Sequence, residues 1–310
     1  MSKDWEMLLD YTYDYVKTNE KKIEHEDNNK IVYNDGTKYH KDNRLNCLTS
    51  KEWLLFQKSW FILKPESRSE DVKLHPAKYP EELVSNFVKF FTKPGEIVLD
   101  PMVGTGSTLV ACAECGRSGF GIELQEKYAK IAKKRIKKIT HQTKLSSGDS
   151  IKNNFKIIRG DAEDIPDMNL PQIDYVITSP PYWDMLKEDG FETQEERRNS
   201  DVDVYYSDKE EDVGNIEEYR EFLDKLVDIY KHVIKILKPK GYMTIVVKNV
   251  KKKGTIYPLA WDLASKLREH IALKDEKIWC QDDVNLAPYG YKYAWVSNTS
   301  HHYCLNFRKE

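Results

Sequence analysis

From about residue 75 the apolar positions of the chain alternate between two rhythms. EELVSNFVKFF (81–91) carries them at helical spacing, and after a Lys93-Pro94-Gly95 turn EIVLD (96–100) is a continuous apolar run of strand length. A Gly-rich turn leads into a helix from Ser107 to about Glu114, and SGFGIEL (118–124) is the next strand. EKYAKIAKKRIKKI (126–139) is amphipathic; NFKIIRGD (154–161) and QIDYVIT (172–178) are two further strands. NIEEYREFLDKLVDIYKHVIKIL (215–237) is the strongest helical pattern, with Asn215 and Glu218 spaced as a capping box and Tyr219, Phe222, Leu223, Leu226, Tyr230, Val233 and Leu237 on one face. Lys238-Pro239-Lys240-Gly241 ends it, YMTIVV (242–247) is a strand, and Pro258 opens a helix to about His270. KDEKIWC (274–280) and HHYCLNFRK (301–309) predict a closing antiparallel pair. Strands that alternate with helices predict an α/β fold: a mostly parallel sheet with helices on both faces, binding its ligand beyond the carboxyl ends of the strands.

Residues 1–70 break this rhythm. They are polar and rich in Lys, Asp, Asn and Tyr, and only NCLTSKEWLLFQKSWFIL (46–63) has a clear apolar pattern. The first 45 residues predict a helix followed by a weakly ordered arm, so the chain divides into an N-terminal extension (1–70) and one large domain (71–310).

Composition changes little. At 40% hydrophobic and 32% charged, the 310 residues fit a globular protein, and no apolar run nears the roughly 20 residues that span a bilayer. MSKDWEMLLDYTYDY lacks the basic start and apolar core of a signal peptide, so a cytoplasmic protein with no membrane association is expected. The five cysteines are odd in number and irregularly spaced, which argues against a disulfide framework. Cys112-x-x-Cys115 has no second pair at zinc spacing and sits in an Ala-rich helix, so it reads as packing; no metal site is expected. The net charge of -2 is not that of a strongly basic nucleic-acid binder, yet KNVKKKG (248–254) concentrates cations in a loop at a strand end.

The candidate chemistry lies at strand ends. In VLDPMVGTGSTL (98–109), Gly104 and Gly106 permit a sharp turn and close approach of a ligand. A phosphate loop would need a lysine after Gly106, where Ser107 stands, and a dinucleotide fingerprint would need glycine where Leu109 stands. What remains is an S-adenosylmethionine turn, with no pyrophosphate to cradle. At the next strand end Glu123 can accept both ribose hydroxyls, and at the third Asp161 can accept from an adenine amine.

The fourth strand ends in Thr178-Ser179-Pro180-Pro181-Tyr182-Trp183. Pro180 and Pro181 have no N–H and fixed φ, so the carbonyls of Ser179 and Pro180, with the Ser179 hydroxyl, form a rigid acceptor cluster suited to a planar NH₂. Tyr182 can stack on the ring carrying that amine. The exocyclic amine of cytosine or adenine is a poor nucleophile because its lone pair is delocalised. Acceptors that bind its hydrogens localise the lone pair and stabilise positive charge developing on nitrogen.

TSPPYW resembles the catalytic motif of the DNA amino-methyltransferases, DPMVGTGST their cofactor motif, and LHPAKYPEELVSNFV (74–88) the segment packed on the methionine end of the cofactor. The resemblance covers about residues 74–310 and implies a seven-stranded Rossmann-like sheet of the class I methyltransferase type, its last strand antiparallel. It implies S-adenosylmethionine as cofactor, held by His75, Pro76, Ala77, Asp100, Pro101, Gly104, Gly106, Ser107, Thr108, Glu123 and Asp161. It implies catalysis by Ser179, Pro180, Pro181 and Tyr182 on a base in DNA that is flipped out or already single-stranded. The basic run after the next strand adds Lys248, Lys251, Lys252 and Lys253 as expected backbone contacts, and Trp183 is a further expected substrate contact. A cognate restriction nuclease is a further partner it suggests; oligomeric state stays open. Serine at the first motif position resembles cytosine-N4 enzymes, whereas aspartate is commoner in adenine-N6 enzymes. Adenine N6, an RNA amine and a catalytically silent nucleic-acid-binding subunit are the alternatives. Two features depart from the pattern. The cofactor motif precedes TSPPYW, and no long insertion reads as a target-recognition domain. LAPYGYKYAWVSNTSHH (286–302), with four Tyr or Trp residues beside Lys292, suits either stacking on unpaired bases or packing over the sheet.

Overall fold

The computed structural model describes residues 23–26, 30–33, 38–64, 79–147, 154–181, 183, 212–252, 254–282, 286, 292 and 297–310. The chain separates into two compact units, Met1–Lys58 and Ser59–Glu310.

In the first unit, β1 (Ile23–Glu26), β2 (Lys30–Tyr33) and β3 (Lys38–His40) form an antiparallel sheet in the order β1-β2-β3. These strands replace the weakly ordered arm expected there, and the helix expected before it lies outside the described residues. Ile31-Val32-Tyr33 is β-branched and aromatic, and Asn34-Asp35-Gly36 after it is a hairpin signal, so the pattern for pairing was present in the sequence. The short helix α1 (Ser50–Phe56) has a full capping box: Thr49 Oγ1 accepts from the Glu52 amide, and Glu52 accepts from the Thr49 amide at 2.6 Å.

The second unit is the expected α/β fold. It contains β4 (Trp60–Ile62), α2 (Glu81–Phe91), β5 (Ile97–Asp100), α3 (Ser107–Glu114), β6 (Ser118–Glu123), α4 (Glu126–Ser147), β7 (Phe155–Arg159) and β8 (Ile173–Thr178). There follow α5 (Tyr219–Ile236), β9 (Leu237–Val247), the hairpin β10 (Val250–Lys252) and β11 (Thr255–Tyr257), α6 (Leu259–Leu267), β12 (Ala272–Cys280) and β13 (His301–Arg308). The large sheet runs β4-β12-β13-β9-β8-β5-β6-β7. Only β13 opposes its neighbours, pairing antiparallel with both β12 and β9. The strand count is eight rather than the expected seven, because Trp60–Ile62 adds in parallel to the edge strand β12.

Strand order reverses at β5, flanked by β8 and β6, so the carboxyl ends of these strands open a crevice. Successive residues of β8 show which helices cover which face. Val176 belongs to the core shared with Phe222, Leu226 and Val233 of α5 and Leu263 of α6, while the adjacent Tyr175 ring stacks on Phe91 of α2 at 5.2 Å. Among the described residues no helix is long and apolar enough to cross a membrane.

Two boundaries differ from the sequence pattern. Asp212 accepts from the Gly214 amide and caps a separate 3₁₀ turn at Val213–Asn215, so Asn215 does not cap α5; Glu218 does, accepting from the Arg220 amide. β9 starts at Leu237 and includes the expected Lys238–Gly241 turn, where the β8 ladder shifts register. There the Lys240 amide donates to the Lys309 carbonyl at 2.8 Å, so β13's end holds the irregular stretch in the sheet.

Gly121 lies in the interior of β6, where a Cβ would fall 2.8 Å from a Val103 methyl. Val103 is β-branched and sits in the glycine turn, so it has little room to yield. Gly121→Ala is expected to cost about 1–3 kcal/mol through overpacking. Urea unfolding of the variant checks this; an unchanged midpoint would show that the turn moves freely over β6.

Candidate active site

The carboxyl end of β5 places Asp100 where water does not reach it: the residue is 1% exposed. Four donors surround its carboxylate. Tyr79 Oη donates to Oδ2 at 2.7 Å and Thr108 Oγ1 to Oδ2 at 2.5 Å; Thr178 Oγ1 donates to Oδ1 at 2.8 Å and the Met102 amide to Oδ1 at 3.1 Å. Burial raises the Asp100 pKa, and these four bonds oppose that rise. Asp100 therefore ties the segment before α2, the start of α3 and the end of β8 to one point. Asp100 itself does not line the cleft beyond these strand ends, which its neighbours Pro101 and Met102 do.

The glycine turn above it is held from both sides. Gly106 has φ +88° and caps α3, and a Cβ there would lie 2.9 Å from the Ala132 Cβ of α4. Gly106 thus permits close helix packing as well as the turn. Arg135 of α4 donates to the Thr105 carbonyl at 2.8 Å and pairs with Glu81, which also accepts from Ser107 Oγ at 3.2 Å. Glu123, at the end of β6 and 8% exposed, accepts from the Gly104 amide at 2.9 Å and the Gln125 amide at 2.8 Å. Burial, with the nearby Asp212 carboxylate adding to it, pushes the Glu123 carboxyl up to about 7 against the two amide bonds.

Beyond these strand ends lies an open cleft of about 650 Å³, counting its solvent-filled mouth. Pro101, Glu123, Asp161, Ser179 and Pro181 line it together, so residues predicted from four different strand ends converge. Asp161 caps a 3₁₀ turn (Ala162–Asp167), accepting from the Glu163 amide at 3.0 Å. Met102, Ile122, Leu124 and Ile229 supply apolar wall. The ladder of β8 ends at Thr178, paired with Ile245; Pro180 is buried and does not line the cleft with Ser179 and Pro181.

Sequence reasoning missed Gln125, Tyr128 and Asp212, which also line the cleft. Gln125 directly follows the strand that ends in Glu123 and could have been found by extending the motif. Asp212 closes the acidic, tyrosine-rich DVDVYYSDKEED (201–212), a segment the sequence offers as a candidate for target recognition rather than for the cofactor. His75, Pro76, Ala77, Tyr182 and Lys253 lie outside the described residues. Among the described residues no cluster of His, Cys, Asp and Glu could hold a metal ion.

Trp183, expected to face the substrate, is instead a core residue at 3% exposure. Its indole meets Tyr219 at 5.1 Å and Tyr257 at 4.5 Å, Lys252 sits 4.4 Å over it, and Nε1 donates to the Glu217 carbonyl at 3.1 Å. The physical reason is its surroundings: Tyr219, Tyr257 and Lys252 enclose the indole, and the Glu217 carbonyl satisfies its N–H. Lys251 and Lys252 stand on β10, and Lys251 Nζ donates to the Ser297 carbonyl.

The sequence profile of the N6/N4 DNA methylase family matches residues 2–134 and 173–310. The chain belongs to that family. Members of it use S-adenosylmethionine as methyl donor. Among relatives, the Type II methyltransferase M2.LlaDCHI of Lactococcus lactis subsp. cremoris is 32% identical over 126 residues, 40% of this chain and 40% of that protein. Type II methyltransferase M.HpaI of Haemophilus parainfluenzae is 34% identical over 92 residues, 30% of this chain and 28% of its own. M2.DpnII of Streptococcus pneumoniae is 42% identical over 62 residues, 20% of this chain and 23% of its own. The chain thus spans two fifths or less of the length of these relatives.

Removing the Asp100 carboxylate leaves three hydroxyls and one amide to find other partners in a dry site. Asp100→Ala is expected to destabilise the fold by about 3 kcal/mol or more. A stability equal to wild type in urea unfolding would mean that the four donors are satisfied elsewhere.

Proposed function

We propose that this protein transfers a methyl group from S-adenosylmethionine to the exocyclic amine of a base in DNA, with cytosine N4 the target. The observation that carries this reading is the shared cleft: Ser179 and Pro181, from the end of β8, line the same space as Glu123 and Asp161, from the ends of β6 and β7. A donor site and an amine-acceptor site on adjoining strand ends are what methyl transfer between two bound ligands requires.

The residues fit the methyl donor. Glu123 offers carboxylate lone pairs to ribose hydroxyls and Asp161 an acceptor to the adenine amine, while Met102, Ile122 and Leu124 are apolar wall for the ring. Asp212 adds negative charge to a cleft that would hold a cationic ligand. When bound, S-adenosylmethionine supplies an electrophilic methyl group on sulfur.

This chain's own part lies with the target amine. Ser179 Oγ and the carbonyls of Ser179 and Pro180 accept the two N–H bonds of the base, which draws the lone pair onto nitrogen. Prolines at 180 and 181 take away two amides that would otherwise compete as donors. The acceptors are rigid before the base arrives, so little reorganisation opposes the reaction. Serine at position 179 is the support for cytosine over adenine. The Type II relatives support a cognate nuclease as partner.

Ser179→Ala is expected to lower methyl transfer about 10²–10³-fold with cofactor affinity retained. Nucleoside mass spectrometry of modified DNA is expected to show N4-methylcytosine. N6-methyladenine would replace the base assignment, and transfer to no DNA at all would overturn the reading.

Ribose hydroxyls donating to Glu123 favour its ionised form, so cofactor binding should release its proton. With the free carboxyl near 7, affinity is expected to rise with pH, by up to about tenfold per unit, and to level off above pH 7. Calorimetric titration from pH 5.5 to 8 checks this, and Glu123→Gln should flatten the profile. A wild-type affinity independent of pH would exclude Glu123 as the ribose ligand.

A further inference from the structure

We infer that Trp261 and Tyr303, with Lys251 of the hairpin that leads into α6, form a stacking surface for the unpaired nucleotide next to the target base. This deepens the proposed function and rests on it, since it assigns a place to the strand whose base enters the cleft.

Register sets the position. Thr178 of β8 pairs with Ile245 of β9, and Tyr303 of β13 pairs with Val247, two residues further along β9. Tyr303 therefore stands two residues beyond the level of Thr178, two strands across the sheet. At about 4.8 Å per strand the separation is roughly 10 Å, within reach of a neighbouring nucleotide. The face is the same as well. Tyr303 packs against the core that contains Val247, Leu259 and Leu263, the side of the sheet on which Ile229 lines the cleft.

The surface there is aromatic, exposed and cationic. Trp261, in the first turn of α6, is 58% exposed and meets Tyr303 edge-on at 6.2 Å; His301 meets the other side of Tyr303 at 5.3 Å. The adjoining hairpin carries Lys251 and Lys252 and exposes Ile256 at 57%. Ring contacts run back from this surface towards the motif. Asp262, next to Trp261, accepts from Tyr219 Oη at 2.7 Å, and Tyr219 packs on Trp183. Packing alone leaves a large indole in water unexplained, as α6 already buries Leu259, Ala260, Leu263, Ala264 and Leu267 on its inner side. An aromatic platform bordered by lysines at the mouth of a nucleobase site matches a single strand in both charge and stacking chemistry.

The test uses the full chain and a fluorescein-labelled pool of random-sequence single-stranded oligonucleotides, read by anisotropy, beside methyl transfer to genomic DNA. Trp261→Ala and Trp261→Leu are expected to weaken binding about five- to hundredfold, while Trp261→Phe keeps most of it. Cofactor affinity and the unfolding midpoint should not change. Lys251→Gln should make the salt dependence of binding shallower by about one phosphate contact, and Trp261→Ala should leave the slope as it is. Equal binding by Trp261→Leu and Trp261→Phe would show that no base stacks there. Wild-type binding by Trp261→Ala, in a preparation that still methylates DNA, would overturn the surface and leave the proposed function standing. A wild-type protein that neither binds the pool nor methylates DNA would overturn both.

Discussion

A carboxylate cut off from water lies under the carboxyl edge of the large sheet, and the rest of the site is arranged around it. Asp100 satisfies its buried charge with Tyr79, Thr108, Thr178 and the Met102 amide. Each partner comes from a different element, so the cost of burying the charge is offset only when all of them are in place. The ion thereby couples the spacing of β5 and β8 to the placement of α3. A hydrophobic residue could fill the same volume, but it would not specify which hydroxyls meet there.

The motif at the end of β8 is bracketed by two anchors of different chemistry. On its amino side, Thr178 is fixed by a hydrogen bond to Asp100. On its carboxyl side, Trp183 is fixed by two aromatic rings, a cation and a carbonyl acceptor. One anchor is polar and directional, the other apolar and extensive. Thr178 and Trp183, at the two ends of the motif, are thus both held in place. A similar division holds at β6, where Glu123 braces the glycine turn through the Gly104 amide while lining the cleft.

Much of this was legible from local pattern. The alternation of strands and helices, the reversal of β13 and the clustering of Glu123, Asp161 and Ser179 at strand ends follow from periodicity and from the fate of polar residues after apolar runs. The errors are equally specific. Lys30–Tyr33 carries strand-forming residues but spans only four positions inside a polar stretch, so its pairing with β1 and β3 is easily overlooked. Asn215 is a competent cap by type, but it is taken up as the last residue of the 3₁₀ turn that Asp212 caps, which leaves Glu218 to cap α5. Trp60–Ile62 became an eighth strand because β12 offered an open edge, a fact with no trace in its own residues.

The sequence by itself determined the order of elements, the glycine turn and the acceptor-rich motif, because each depends on residues within a few positions of one another. Tertiary structure decided which polar groups are spent and which remain. Asp100 and Glu123 are both acids at the ends of consecutive strands, yet one is saturated by four donors and the other lines the cleft. Trp183 and Trp261 are both tryptophans near the carboxyl edge, yet one is enclosed and the other stands in water. The reason is that burial and hydrogen bonding are properties of what packs across the sheet, and those neighbours lie tens of residues away in the chain.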